Sequence, residues 1–83
     1  MSEFGESSYR RFLQGDRQAL EEMVRTYSDA LVRFAYSYVK SSNVAEDVAE
    51  ECFAVLFMRR KHFAYEPQLR AYLYKVARSK CID

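Results

Sequence analysis

Residues 17–40 read RQALEEMVRTYSDALVRFAYSYVK, and no other segment of the 83-residue chain carries so long a helical pattern. Apolar side chains recur in it at spacings of three and four, which places them on one helix face about 120° wide. These side chains are Leu20, Met23, Val24, Tyr27, Leu31, Phe34, Ala35 and Tyr38. We therefore predict a long helix over residues 17–40 with this face in a core.

A short helix is predicted ahead of the long one, over residues 8–14. Gly15 follows at a position where helices commonly end, because glycine adopts a left-handed backbone without strain. The carboxylate of Asp16 can then accept a free amide of the next helix, as an N-cap does.

Two more helices are predicted after the long one. A pair of serines interrupts it, and Asn43 with Glu46 three residues later forms a start resembling a capping box. This third helix runs to about Arg60. Pro67 suits the first turn of a fourth helix, whose apolar face holds Leu69, Tyr72, Leu73, Val76 and Ala77. The prediction is an all-α, compact bundle of about four helices.

The composition agrees with a helical domain. Two glycines and one proline leave little turn material for a β fold, while 49% of the residues are hydrophobic. A chain this short buries only about 60% of its unfolded surface. We therefore expect residues 1–83 to form a single domain of marginal stability.

The two cysteines, Cys52 and Cys81, argue against a metal or cofactor site. They have no CxxC spacing, and His62 is the only histidine. Cys52 falls on an apolar helix face, where we expect a small core residue. The N-terminus lacks a basic and apolar leader, and no apolar run approaches 18 residues. These features predict a cytoplasmic protein in a reducing compartment.

The third helix separates an apolar face from an acidic one. The predicted buried face holds Val44, Ala45, Val48, Cys52, Val55 and Leu56. Asp47, Glu50 and Glu51, here called the acidic edge, fall together in a wedge with Ala54 and Met58. Such acids are either a solvated surface or a docking edge for a basic protein with apolar residues beside it.

The second half of the chain is basic and aromatic. Residues 1–51 hold ten acids and six bases, whereas residues 52–83 hold seven bases and two acids. Residues 59–65, RRKHFAY, form the aromatic loop. On the fourth helix Arg70, Tyr74 and Arg78 share a face, with Lys75 beside them. Cations interleaved with rings are typical of a nucleic-acid surface, although a solvated helix also carries them.

Two residues of this half have competing interpretations. Rings are hard to bury in a loop, which favours an exposed Phe63, yet this ring could also plug the core beneath it. Lys80 projects onto the nominal apolar face of the fourth helix. We expect it to reflect fraying or snorkelling near the chain end.

The order and spacing of these segments resemble region 2 of bacterial RNA polymerase sigma factors, especially the extracytoplasmic-function (ECF) group. The resemblance extends from Tyr9 to Asp83. It is carried by Gly15-Asp16 with Ala19-Leu20, by Tyr27, and by LVRFAYSYV at 31–39, AEDVAEECF at 45–53, YLYKVAR at 72–78 and Ile82-Asp83.

This resemblance implies two binding surfaces. In the family the third helix docks on the clamp-helix coiled coil of the polymerase β′ subunit through an Asp-x-x-Gln-Glu pattern, which here corresponds to Asp47, Glu50 and Glu51. The promoter −10 element is read as a melted non-template strand by the loop before the fourth helix and by that helix. The implied DNA-binding residues are Arg59, Arg60, Lys61, Phe63, Arg70, Tyr74, Lys75, Arg78 and Ser79.

Within that set, Phe63 matches the family's stacking aromatic, beside the pocket that takes a flipped base. Stacking one unpaired base on a ring contributes about 1–3 kcal/mol. An anti-sigma factor is a further partner that the family allows.

The chain also departs from the family pattern. Glu50 stands where Gln is usual, Tyr72 where the family has Trp, and Ser79 where Asn is common, so no promoter preference carries over. The sequence stops where the family continues into a linker and a helix-turn-helix domain that reads the −35 element. We therefore expect a fragment of a longer, two-domain sigma factor.

Two functions fit these observations. The first is a transcription initiation module without enzymatic activity. The alternative is a helical protein-interaction module, or a regulator, that binds RNA polymerase without touching DNA. An enzyme is disfavoured because the chain has one histidine, no Gly-rich phosphate loop and no nucleophile-base set.

Overall fold

The computed structural model describes residues 8–82, which fold into four helices with no strand among them. They are α1 (Ser8–Leu13), α2 (Gln18–Val39), α3 (Ser42–Arg59) and α4 (Glu66–Ile82). The predicted all-α bundle is confirmed, with boundaries within a residue or two of those expected. No helix in this range is long and apolar enough to cross a membrane.

Helix α2 is the central element and packs against the other three helices. Its fully buried residues are Ala19, Met23, Leu31 and Ala35, which recur at multiples of four. Tyr27 and Phe34 are half-buried at the margins of this row. The predicted apolar face is therefore right at its centre but too wide, since Val24 and Tyr38 at its edges are exposed.

A tight reversal joins α1 to α2. Gly15 has a φ of +99°, a backbone conformation that residues other than glycine rarely adopt. The Asp16 carboxylate accepts a hydrogen bond from the Gln18 amide at 3.0 Å, so it pairs with a free amide at the start of α2 as predicted, although the N-cap position itself is Arg17. Its other oxygen accepts from Nε of Arg11 at 2.9 Å, which ties α1 to the turn.

The connection from α2 to α3 corrects one prediction. Lys40 ends α2 in the left-handed conformation, and its N–H bonds to the Tyr36 carbonyl. Ser41, not Asn43, caps α3, because its Oγ accepts the Val44 amide at 3.3 Å. The helix starts at Ser42, so Asn43 already lies inside the first turn.

The core includes buried residues of all four helices and Phe63 of the loop. On α3 the buried residues are Ala45, Val48, Ala49, Cys52, Phe53 and Leu56. Val44 was expected in this face but is exposed, unlike its neighbour Ala45. On α4 the predicted face is confirmed, with Leu69, Leu73 and Ala77 buried and Tyr72 and Val76 half-buried.

Candidate functional site

The acidic edge lies on the solvent side of α3. Asp47 precedes Glu50 by three residues and Glu51 by four, so all three side chains project from adjacent positions of the helix surface. All are exposed, and neither Asp47 nor Glu50 forms an ion pair within residues 8–82. These two carboxylates can meet an external cation without first breaking an internal contact.

Apolar surface continues the acidic edge toward the end of α3. Met58 is 82% exposed, more than any other large apolar side chain in the described part of the chain, and Ala54 is exposed one turn before it. The predicted wedge of acids beside apolar residues is thus present. An exposed methionine next to carboxylates is suited to packing against another protein, because its unbranched side chain adapts to the partner.

A cleft of about 360 Å³ borders the acidic edge on the side facing α2. Its lining residues are Ser28, Asp29, Val32, Arg33, Glu46 and Glu50. Three carboxylates outnumber the one guanidinium, so the cleft continues the negative surface onto α2.

Glu51 differs from the other two acids because it already has a partner. Nζ of Lys80 on α4 lies 3.1 Å from its Oε1, with the Lys80 side chain 31% exposed and that of Glu51 60%. The expectation of fraying at Lys80 is wrong, because α4 continues to Ile82, whereas the ammonium does extend away from the apolar face, as snorkelling requires. Lys80 lies on the side of α4 that packs against α3, and its ammonium reaches the Glu51 carboxylate.

Of the two interpretations of Phe63, the structure supports the core plug. This side chain is 7% exposed, and its ring centroid lies 5.4 Å from that of Tyr9 and 5.4 Å from that of Tyr72. The expectation that rings in this loop are hard to bury holds for Tyr65, which is 51% exposed, but is wrong for Phe63. Helix α1 supplies the cover, so Phe63 is a core plug in this conformation.

Two of the predicted loop cations hold the loop against the bundle. Arg60 ends α3 in the left-handed conformation and donates from Nη2 to the Leu13 carbonyl at 3.0 Å. Its guanidinium also lies 4.7 Å from the centre of the Phe12 ring. Nζ of Lys61 lies 5.1 Å from the Tyr72 ring centre. Both contacts are within cation–π range, so these cations are already engaged.

A backbone contact completes the attachment of the loop to α1. The Tyr9 hydroxyl donates to the Lys61 carbonyl. Burial raises the pKa of Tyr9, opposed by the nearby Arg60 charge. The phenol therefore stays protonated and able to donate at neutral pH. Tyr9 was absent from the predicted site, and no local sequence pattern marks it, because its partner is 52 residues away.

The start of α4 is fixed to α2 by a three-residue network. Glu66 accepts from the Tyr27 hydroxyl and from Nη2 of Arg70, each at 2.7 Å. Partial burial acts to raise the pKa of Glu66, but these two hydrogen bonds outweigh it and hold that pKa below its ordinary value. Burial, then the bond to Glu66, raises the pKa of Tyr27. Arg70, a predicted DNA contact, is thus engaged with its own helix.

The remaining predicted DNA-binding residues lie at the surface. Arg59, Lys75, Arg78 and Ser79 are exposed. The three cations among them form no ion pair within residues 8–82. Tyr74 is half-buried, with its ring edge-on to Phe34 at 4.9 Å. Free positive charge in this half is therefore provided by Arg59 and by the outer face of α4.

The cysteines form no reactive pair. Cys52 is fully buried, as predicted for a small core residue, and burial raises the pKa of its thiol to about 11. Cys81 is half-buried, and burial raises its pKa as well. Both are free thiols, held largely protonated at neutral pH. Residues 8–82 contain no group of three His, Cys, Asp or Glu side chains that could hold a metal ion.

Comparison with known proteins identifies the family of the chain. The family model for sigma-70 region 2 matches residues 23–83, well over half of the chain. The chain therefore belongs to the sigma-70 region 2 family.

Among curated proteins, the chain is similar to the ECF RNA polymerase sigma factor SigW of Bacillus subtilis (strain 168). The two are 27% identical over 70 residues, covering 84% of this chain and 37% of that protein. The chain thus spans little more than a third of the length of this relative, which belongs to the group that the sequence resembled. No solved structure matches the chain.

Proposed function

We propose that this chain is the region 2 module of an ECF-type sigma factor, without enzymatic activity of its own. In this proposal Asp47, Glu50 and Glu51 dock on the clamp helices of the polymerase β′ subunit. The aromatic loop and α4 bind the promoter −10 element as a melted non-template strand. The module belongs to a longer two-domain factor that an anti-sigma factor can hold.

The observation that carries the proposal is the exposed acidic edge in a chain of this family. Asp47 and Glu50 have no ion-pair partner within residues 8–82, and exposed Met58 lies on the same side of α3, about two turns beyond Glu50. A helix that combines free carboxylates with apolar surface favours a partner helix bearing cations. The clamp-helix coiled coil is the partner that the family resemblance implies.

Charge reversal at Asp47 tests the docking step. Asp47→Arg should keep the helical circular dichroism spectrum but lose about 2–5 kcal/mol of binding free energy toward a β′ clamp-helix fragment, because it places a cation where a basic partner must approach. Glu21→Arg changes the net charge equally at an exposed site on α2 and should bind like the wild type. Equal binding by both variants would contradict the docking assignment.

The DNA-binding step is proposed with a change in the roles of individual residues. Arg59, Lys75 and Arg78 are free to meet phosphates, whereas Arg60, Lys61 and Arg70 first have to leave internal contacts. Phe63 can capture a base only after its ring leaves the contact with Tyr9 and Tyr72. Strand capture therefore includes opening of the loop.

A fluorescence anisotropy titration at several salt concentrations tests this step. Single-stranded DNA should bind better than duplex, with a log–log salt slope of about −0.7 for each neutralised phosphate. Lys75→Ala and Arg78→Ala should weaken the binding of every oligonucleotide and flatten the salt slope. If Tyr65→Ala, in which Phe63 is intact, no longer prefers one oligonucleotide sequence over another, base capture would be assigned to the exposed Tyr65 ring instead.

The alternative function is a protein-interaction module that binds polymerase without DNA contact. The burial of Phe63 and the internal engagement of Arg60 favour it, because both remove groups from the predicted DNA surface. A clamp-helix complex that still binds neither strand of a melted promoter would select this alternative.

A further inference from the structure

The ion pair between Glu51 and Lys80 joins the proposed docking surface to α4. Lys80 Nζ is 3.1 Å from Glu51 Oε1, and the lysine is the less exposed of the two side chains. Among the three acids of the edge, Glu51 alone has an ion-pair partner within residues 8–82. A positive charge of the chain itself is thus held at the place where a basic partner has to bind.

We infer that Lys80 weakens docking, because its ammonium pairs with the Glu51 carboxylate and lowers the negative potential of the acidic edge. Lys80 thereby sets the affinity of this edge for a basic partner helix. This inference rests on the proposed function of the acidic edge and adds the residue that regulates it. An incoming cation has to displace Lys80 from Oε1 or bind beside a like charge. Either route weakens docking relative to a free carboxylate.

The size of the effect follows from exposure. Exposed ion pairs contribute little because water and salt screen them, and an interaction of that strength changes a dissociation constant by roughly 1.5- to 5-fold. The effect of Lys80 is therefore to adjust the docking affinity and not to block docking. It should also weaken with rising salt, because a partly exposed pair is screened.

Removal of the Lys80 charge tests the inference, with binding measured by titration of a β′ clamp-helix fragment at low and moderate salt. Lys80→Gln should bind roughly 1.5- to 5-fold more tightly than Lys75→Gln, which loses the same charge at an exposed site on the same helix that has no ion-pair partner in the described part of the chain. The gain should shrink as salt rises. Lys80→Arg keeps the charge and should bind like the wild type.

A double-mutant cycle then tests whether Lys80 acts through Glu51. The gain from Lys80→Gln should be smaller in a Glu51→Gln background, where no carboxylate remains to be released. Affinity of Lys80→Gln equal to or below that of Lys75→Gln would overturn the inference. So would an undiminished gain in the Glu51→Gln background.

The failure of this inference can be distinguished from the failure of the proposed function. If Asp47→Arg retains full affinity for the clamp-helix fragment, the docking surface itself is wrong. If Asp47→Arg loses affinity while Lys80→Gln and Lys75→Gln bind with the same affinity, only the inferred effect of Lys80 is wrong. Should Lys80→Gln lose helical signal, Lys80→Met serves in its place, because it keeps a long side chain beside α3.

Discussion

The acidic edge and the aromatic loop are both candidate binding surfaces, but the fold treats them in opposite ways. On the edge, two of three carboxylates have no ion pair with any residue in the described range 8–82. In the loop, the Phe63 ring is buried and the Arg60 and Lys61 side chains contact other rings. One surface is therefore presented ready for a partner, and the other has to be released before its predicted groups can bind.

The largest expected effect is on the loop side of this comparison. Phe63→Ala should lower the free energy of unfolding by about 3–5 kcal/mol, because it removes a buried ring between Tyr9 and Tyr72 and leaves a cavity. Urea denaturation followed by circular dichroism measures it. Tyr65→Ala, at an exposed ring two residues on, should change stability by less than about 0.5 kcal/mol. Similar values for the two variants would mean that Phe63 is not a core residue.

A smaller effect is expected where the loop meets α1. Arg60→Ala should lower the free energy of unfolding by about 1 kcal/mol, since it removes the bond to the Leu13 carbonyl and the contact with Phe12. Arg59→Ala, at the neighbouring cation without an ion-pair partner in residues 8–82, should be nearly neutral. If thermal melting shows Arg59→Ala to be the more damaging change, the two residues have been assigned the wrong roles.

Acid should loosen the attachment of α1 to α2. Arg11 holds both carboxylate oxygens of Glu22 at 2.8 Å. Its hydrogen bonds, then that of Ser8, lower the pKa of Glu22 to about 2 from an ordinary value of 4.5. A lowered folded-state pKa stabilises the fold above pH 4.5, and this stabilisation is lost as the pH falls toward 2.

Melting temperatures between pH 5 and pH 2 test this expectation. The melting temperature of the wild type should exceed that of Glu22→Gln most at pH 5, and this difference should shrink as the pH falls. Glu21→Gln, the exposed neighbour, should follow the wild type throughout. A difference between wild type and Glu22→Gln that stays constant with pH would remove Glu22 from the attachment of α1.

The smallest effect is expected on the edge itself. Asp47→Asn should leave the free energy of unfolding within about 0.5 kcal/mol of the wild type, because no ion pair among residues 8–82 is lost. Chemical denaturation measures this. A clear destabilisation would mean that Asp47 has a structural partner and that the two surfaces are less different than they look.

The sequence was sufficient for features that depend on neighbours along the chain. Spacings of three and four residues, together with the turn signals at Gly15 and Pro67, located the four described helices, and the same helical geometry grouped Asp47, Glu50 and Glu51 on one surface. The contacts that the sequence did not predict join distant residues. The Tyr9 hydroxyl reaches the Lys61 carbonyl across 52 positions, and Lys80 meets Glu51 only because α4 packs on α3. Such contacts depend on how helices pack, which a periodic pattern does not encode.

The burial of Phe63 also has a kinetic consequence. If the ring must leave the core before it can stack on a base, the observed rate of strand binding cannot rise indefinitely with oligonucleotide concentration. It should level off at the rate of loop opening. Tyr9→Phe, which removes the donor to the Lys61 carbonyl, should raise that plateau. The speed of strand capture would then be set by an aromatic ring of α1 that does not itself bind DNA.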